Sequence, residues 1–529
     1  MFNKALVALA LCCCFLTSLS YAADKGSAEN DKDTLVIAWP TNVGQLNPHL
    51  YNPNQMFAQV MVYDALVRYN GKDVEPALAE SWTISPDGKT YTFNLKKDIQ
   101  FSDGSAFNSS AVAMNFAAIM ANAERHGWIA LVSMIDNWKT PDENTFVLNL
   151  KHPYSITLFE LSLPRPFRIL APSGFIDGEV NTSKGIKQPI GTGAWVLSES
   201  KLGEYDIFVR NEHYWGKKSS YPQLKVLVLP DANSRVVALE TDQVDLLIGE
   251  GNFTVENFVR LSKDPQYQAN KSEPRSTNMI ALNSARNATK DLPVRQAIMH
   301  AVNKEALVKY ILLNQEEIAH QFYNPTLKYS QIGLVPFTYD VKKANDLLDA
   351  DGWKKNGVYR EKNSLPLELD LHYIGTDPKH KAIAEAIQAD LMQVGIKLNL
   401  RAEESTIFYS LQANGNFDLI FNKTWGPPFE PGSFTASMRK PSHADYQAQI
   451  GLKEKPEIDR TISALIISTD EQDIAKKYKY VLTTLHNEAI YLPFSYELDL
   501  ALFKKGRINN FQFGEMTTEF MFNEMDLNK

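Results

Sequence analysis

The residue types that do chemistry are present in this chain, but seldom at spacings that let them act together. Its ten histidines include no H-E-x-x-H pair and no other metal-ligand spacing. Gly88-Lys89-Thr90 resembles the end of a phosphate loop, yet Thr83 stands where the first glycine is required, so turn chemistry is the better reading. Ser198 to Lys201 is a lone S-x-x-K, and no G-x-S-x-G elbow occurs. Ser442-His443-Ala444-Asp445 has the residue types of a hydrolytic triad, but such triads assemble from distant segments in a set hydrogen-bond order. A secreted hydrolase is the different-class alternative, and no supported nucleophile–base pair backs it. The three cysteines are adjacent: Cys12, Cys13 and Cys14.

The elements around these residues say which of them can matter. Lys4 is followed by the apolar stretch Ala5 to Leu19, and Ser20-Tyr21-Ala22 puts small residues at −3 and −1 of a cleavage site. Residues 1–22 are therefore expected to be a signal peptide and the mature protein periplasmic. A lipoprotein signal needs a small residue before the modified cysteine, where Leu11 stands. A retained anchor needs ~20 apolar residues, more than this run supplies. Cleavage after Ala22 removes every cysteine. Disulfides, thiolate metal sites and cysteine nucleophiles are then excluded.

With 529 residues the chain exceeds what one core of ~250–300 residues can organise, so at least two lobes are expected. It is 44% apolar and 22% charged, as soluble globular proteins are. Its 54 Lys and Arg against 62 Asp and Glu, a net charge of −8, speak against nucleic acid as a partner. Residues 83–95 alternate around Pro86-Asp87-Gly88 as a hairpin would. Leu367, Leu369, Leu371 and Tyr373 mark a half-buried strand, followed by Asp377 and Pro378 as N-cap and first residue of a helix. Gly395 ends that helix, and Ile396, Leu398 and Leu400 begin another strand. Such a strand–helix–strand unit predicts a mixed α/β fold with parallel pairing in the second lobe.

Four longer segments are more specific: residues 75–104 (EPALAESWTISPDGKTYTFNLKKDIQFSDG), 189–195 (PIGTGAW) with 210–216 (RNEHYWG), 294–307 (VRQAIMHAVNKEAL) and 339–353 (YDVKKANDLLDADGW). Their order and spacing resemble the periplasmic solute-binding proteins of the peptide/nickel ABC importers, family 5, over essentially the whole mature chain. The resemblance implies an α/β, two-lobed "Venus-flytrap" fold with an enlarged first lobe carrying an extra subdomain. It places lobe I at 23–274, lobe II at 275–496 and a C-terminal return into lobe I at 497–529. The chain would cross near Pro274 to Thr277 and return near Ser495 to Glu497. No catalytic activity is implied. The partners would be the inner-membrane permease subunits, with the binding protein acting as a monomer.

Family members carry peptides, nickel chelates, haem or sugars. Peptide binders commonly hold an aspartate three residues after a tryptophan in lobe II; here that position is Pro428, with Glu430 nearby. A buried ammonium without a carboxylate is costly, which weighs against peptides. Residues 46–59 (LNPHLYNPNQMFAQ), 125–128 (RHGW), 163–168 (LPRPFR) and 441–449 (PSHADYQAQ) resemble the nickel-binding members. That likeness implies nickel(II) bound as a complex with a small organic chelator, histidine-type or carboxylate-bearing. His443 would complete the metal's coordination, and Arg125 and Arg165 would bind the chelator's carboxylates. Met56, Trp128, Tyr409, Trp425, Phe429 and Thr518 would wall the pocket, with Asn52 where a threonine is usual. Phe429 departs from the expected tyrosine and lacks its hydroxyl. His126, beside Arg125, is a further, weaker candidate for a second metal contact. Elementary chemistry agrees: nickel(II) takes imidazole nitrogen and oxygen donors, and guanidinium forks bind carboxylates bidentately. A dipeptide or haem carrier of the same fold is the alternative.

Overall fold

The computed structural model describes residues 33–51, 55–249 and 251–528. The signal-peptide reading, Cys12 to Cys14 and Asn52 fall outside the described residues.

One mixed sheet runs through the molecule. From edge to edge its strands are Lys397–Glu403, Glu368–Ile374, Leu419–Lys423, Tyr267–Leu282, Tyr491–Lys504, Leu246–Ile248, Thr34–Trp39, Gln223–Val228, Tyr205–Arg210 and Trp195–Lys201. The two central strands are far longer than their neighbours, at 16 and 14 residues, and pair antiparallel with each other. Toward one end, residues 500–504 pair with 267–271, and 501–503 also pair with Leu246–Ile248. Toward the other end, 278–282 pair with the strand Leu419–Lys423. Between these zones the register slips at Lys271/Pro274 and Pro274/Ser276, as expected where a proline cannot donate to the ladder. The sheet is thus two half-sheets joined by one pair of continuous strands.

The first half carries an added layer. Ala79–Ile84, Thr90–Leu95, Thr145–Leu150 and Ile135–Asp142 form a four-stranded antiparallel sheet. Its inward-facing Phe93, Phe146 and Leu148 are fully buried, and Phe146 meets Phe116 of the helix Ser109–Ala121 at 4.8 Å between ring centroids. The hairpin 83–95 is present as expected, and Gly88 closes its turn, with its N–H donating to the Ser85 carbonyl. The phosphate-loop look of Gly88-Lys89-Thr90 is therefore turn chemistry.

In the second half, Glu368–Ile374 pairs parallel with Lys397–Glu403. The intervening helix Pro378–Gln393 starts where Asp377 accepts from the His380 N–H, and it buries Ile383, Ala384, Ile387 and Leu391. Gly395, at φ 83°, reverses the chain after it. Among the described residues no helix is long and apolar enough to cross a membrane.

A cleft built from both halves

Three segments of the first half and two of the second bring most of the sequence-predicted residues to one place. The turn after the helix Ser109–Ala121 holds Arg125 outward and His126 inward, with the His126 N–H donating to Ala123 O and His126 O accepting from Ile129 N. Trp128 then projects back over the cleft. The Pro-Arg-Pro segment is anchored from behind by buried Arg168, which donates to Leu163 O and, at 2.7 Å, to Tyr63 O. That leaves Arg165 forward, where its guanidinium donates to Tyr51 O at 2.6 Å and lies 4.7 Å from the centre of the Tyr51 ring. Met56 opens the helix Met56–Val62, whose last turn is overlaid by Gly193. A Cβ on Gly193 would come within 2.4 Å of Met61 O, so no other residue fits without moving the helix.

From the second half comes the loop after Leu419–Lys423. Thr424 exchanges hydrogen bonds with Thr277 of the long strand: its N–H donates to the Thr277 carbonyl at 3.1 Å, and its hydroxyl oxygen accepts from the Thr277 N–H at 2.9 Å. Gly426, at φ 75°, lets the loop press on Thr517, where a Cβ would sit 2.6 Å from its methyl. Trp425 is thereby aimed across the cleft: it meets Trp128 edge-on at 5.7 Å, Phe429 at 6.0 Å and the His443 ring at 5.7 Å. Trp128 also meets Phe429 at 6.1 Å. His443 caps the helix Ala444–Gln449. Beneath it the buried Asp445 carboxylate accepts from Asn422 at 3.0 Å, and Gln449 donates to the Tyr491 hydroxyl at 2.9 Å. Asp445 is bound below its helix and Ser442 is exposed, so the triad-like run assembles no triad.

A cavity of about 310 Å³ opens here, lined by Met56, Trp425 and Thr518 and, toward the long strands, by Arg275, Lys423 and Glu497. The buried Thr518 hydroxyl has no hydrogen-bond partner among the described residues. A second cavity of about 140 Å³ is lined by Tyr69, Tyr329, Tyr478, Pro428 and Glu430 and contains none of the predicted ligand residues. Glu430 turns back on its own loop, accepting from the Gly426 N–H at 2.5 Å, and burial pushes its carboxyl up to about 7. It is no ready partner for a peptide ammonium. Tyr409 is not brought to the cluster: it lies on the helix Ser405–Asn414, 59% exposed, with its ring against Phe408.

The electrostatics are unusual on both walls. Arg165 is half-buried, and desolvation lowers its guanidinium to about 10; no carboxylate among the described residues pairs with it or with the exposed Arg125. The His443 imidazole accepts or donates no hydrogen bond to the described residues, and burial, then Lys440, hold it below its ordinary pKa. It therefore presents a neutral, unengaged nitrogen donor at neutral pH. His126 is different. It is fully buried, burial and then Arg125 lower it to about 4, and its Nδ1 lies 2.5 Å from the Tyr51 hydroxyl. Its ring is enclosed beside Tyr51 and not open to solvent.

Tyr51 is the residue that sequence reasoning missed. Besides Arg165 and His126, it accepts from Trp128 Nε1 at 2.7 Å. It lies inside residues 46–59, but its partners are 75, 77 and 114 residues away, so spacing gave no signal. Among the described residues no group of three or more His, Cys, Asp or Glu side chains could hold a metal ion.

Residues 73–446 match the model for bacterial extracellular solute-binding proteins, family 5 Middle. The nickel-binding periplasmic protein of Escherichia coli (strain K12) is 45% identical over 93% of this chain and 94% of its own length. Heme-binding protein A of Haemophilus influenzae is 25% identical over 83% of this chain and 82% of its own. In structure, the chain is similar to NikA from Brucella suis in complex with Fe(III)-EDTA, with a TM-score of 0.91, 45% identity, and coverage of 94% of this chain and 100% of that one. The two half-sheets, the added layer and the cleft between them are those of a solute carrier, and the chain belongs to the family 5 bacterial extracellular solute-binding proteins.

Proposed function

We propose that the protein captures nickel(II) in the periplasm as a complex with a small, carboxylate-bearing or histidine-type chelator and delivers it to the inner-membrane permease of an ABC importer. One observation carries this reading. On one side of the cleft two guanidinium groups, Arg125 and Arg165, lack a carboxylate partner among the described residues, and on the other the His443 imidazole is unengaged. A half-buried cation without a counter-charge is costly, and a ligand's carboxylate groups supply what is missing. Bare nickel would not, since it adds positive charge. A chelate presents carboxylates to the arginines and leaves a coordination position for His443. Trp128, Trp425 and Phe429 then exclude water, and the Phe429 ring does so without a hydroxyl. The kinship with a nickel-binding periplasmic protein and with a structure holding a metal–EDTA complex supports the same class of ligand.

The contacts come from both halves, so binding favours the closed arrangement. The joint is the pair of long strands, with lobe I before Pro274 to Thr277 and after Ser495 to Glu497. Native mass spectrometry of protein purified from periplasm tests the proposal. The expected mass increment is one nickel plus a chelator of a few hundred daltons or less. A peptide or a haem retained in its place contradicts it.

A further inference from the structure

Two of the groups assigned to ligand capture, Arg165 and Trp128, converge on a residue that has no ligand role assigned. The Tyr51 carbonyl accepts from Arg165, its ring underlies the same guanidinium, and its hydroxyl accepts from Trp128. The hydroxyl's other neighbour is His126 Nδ1 at 2.5 Å, and the two rings meet edge-on at 5.4 Å. His126 in turn is the buried root of the turn that carries Arg125 and Trp128. Its Nε2 is buried without a partner among the described residues, so the Tyr51 bond is its single polar engagement there. An imidazole buried for packing alone has a cheaper substitute in phenylalanine, because an unpaired buried polar atom costs stability.

We infer that His126 is a positioning residue for chelate capture: by holding the Tyr51 hydroxyl it fixes the ring and carbonyl on which Arg165 rests and the indole that walls the cleft. The inference rests on the proposed function and names the device that sets that site's affinity for a carboxylate-bearing complex. The geometry is a clamp. Trp128 Nε1–H occupies one lone pair of the Tyr51 oxygen, and His126 restrains the oxygen from the side, so the phenol cannot swing about its Cα–Cβ bond. A preformed guanidinium loses less freedom on binding than one that must be ordered by the ligand. His126 itself touches no ligand.

The test is a titration of nickel(II) with L-histidine into the wild-type protein and into His126→Phe, His126→Asn, Tyr51→Phe and the double variant Tyr51→Phe/His126→Phe, each with its melting temperature. An asparagine places a polar atom near the position of Nδ1, whereas phenylalanine keeps only the volume. His126→Phe and Tyr51→Phe are each expected to weaken binding about three- to tenfold, the scale of one lost hydrogen bond. The double variant should be no weaker than either single one, and His126→Asn should recover most of the affinity. Melting temperature should not follow the same order. Wild-type affinity in His126→Phe, additive losses in the double variant, or an asparagine variant as weak as the phenylalanine one each overturn the inference. A wild-type protein that takes up no complex at all overturns the proposed function, and this inference with it.

Discussion

The two walls of the cleft hold their residues by different means. On the first, Tyr51, His126, Trp128 and Arg165 are tied by three hydrogen bonds of 2.5 to 2.7 Å, with a guanidinium stacked on a phenol ring. On the second, Trp425, Phe429 and His443 meet only through ring contacts at 5.7 to 6.0 Å, and the imidazole is unengaged. The polar wall cannot adjust cheaply, because moving one member breaks bonds in a partly desolvated site. The aromatic rings have no hydrogen bond among them to break, and only their loop's backbone is tied, at Thr424 and Gly426. A carrier that must first recognise a chelate's carboxylates and then close over it is served by this asymmetry: a hydrogen-bonded reader on one wall and an apolar cover on the other.

The largest effect should come from the hydrogen-bonded wall. Arg165→Met removes a cation that the described residues do not neutralise, so the empty protein should melt no lower than wild type. Affinity for the nickel–histidine complex should nonetheless fall by ~30-fold or more, the equivalent of ~2 kcal/mol or above for a buried charge contact. A lowered melting temperature with unchanged affinity would make Arg165 structural. Next, His443→Ala on the aromatic wall should cost at least ~10-fold in metal-complex affinity, the low end of what even outer-shell metal partners contribute. Calorimetry separates the two variants.

Acid should distinguish the walls as well. His443 is held below its ordinary pKa, so complex affinity should stay level as pH falls from 8 to 6.5 and decline only below that. The buried His126, at about 4, and His49, at about 3, act on folding instead. The unfolded chain protonates them from about pH 6.5 downward while the folded one does not, so stability falls as pH drops below 6.5, at up to ~1.4 kcal/mol per pH unit for each group. In His126→Asn that acid-side slope should be shallower, which denaturant midpoints at pH 5 and 7 would show. An unchanged slope would contradict the burial of this imidazole.

Much of this architecture was readable in the sequence, and the exceptions share a cause. The hairpin 83–95 and the unit from Glu368 to Glu403 follow from local patterns: alternation, an Asp-Pro helix start and a glycine stop. Arg125, Arg165, Trp128, Trp425 and His443 were reached through a likeness of motifs, and the structure brings Trp128, Trp425 and His443 into ring contact with Arg165 one residue removed, through Tyr51. Tyr51 was not legible, because its role lies in partners far along the chain. The buried setting of His126 was not legible for the same reason, since its partner Tyr51 is 75 residues away. Tyr409 lies on the helix Ser405–Asn414, 59% exposed, with its ring meeting Phe408 and no ring of the aromatic cluster.

The smallest expected effect refines the comparison at the floor of the cavity. Thr518→Val removes a buried hydroxyl without a partner among the described residues, so thermal stability should hold or rise slightly, by up to ~1 kcal/mol. Affinity should drop only a few-fold, reflecting one hydrogen bond to the chelate. No change in affinity would assign the cavity floor to packing alone.

The central claim is that the cleft reads a nickel complex through its chelator's carboxylates and does not read the bare ion. Isothermal titration of nickel(II) alone, and of nickel(II) with excess L-histidine, into the wild-type protein tests it most directly. The account predicts weak or no heat from the ion and tight, stoichiometric binding once the chelator is present. Tight binding of bare nickel, unaffected by L-histidine, would contradict it.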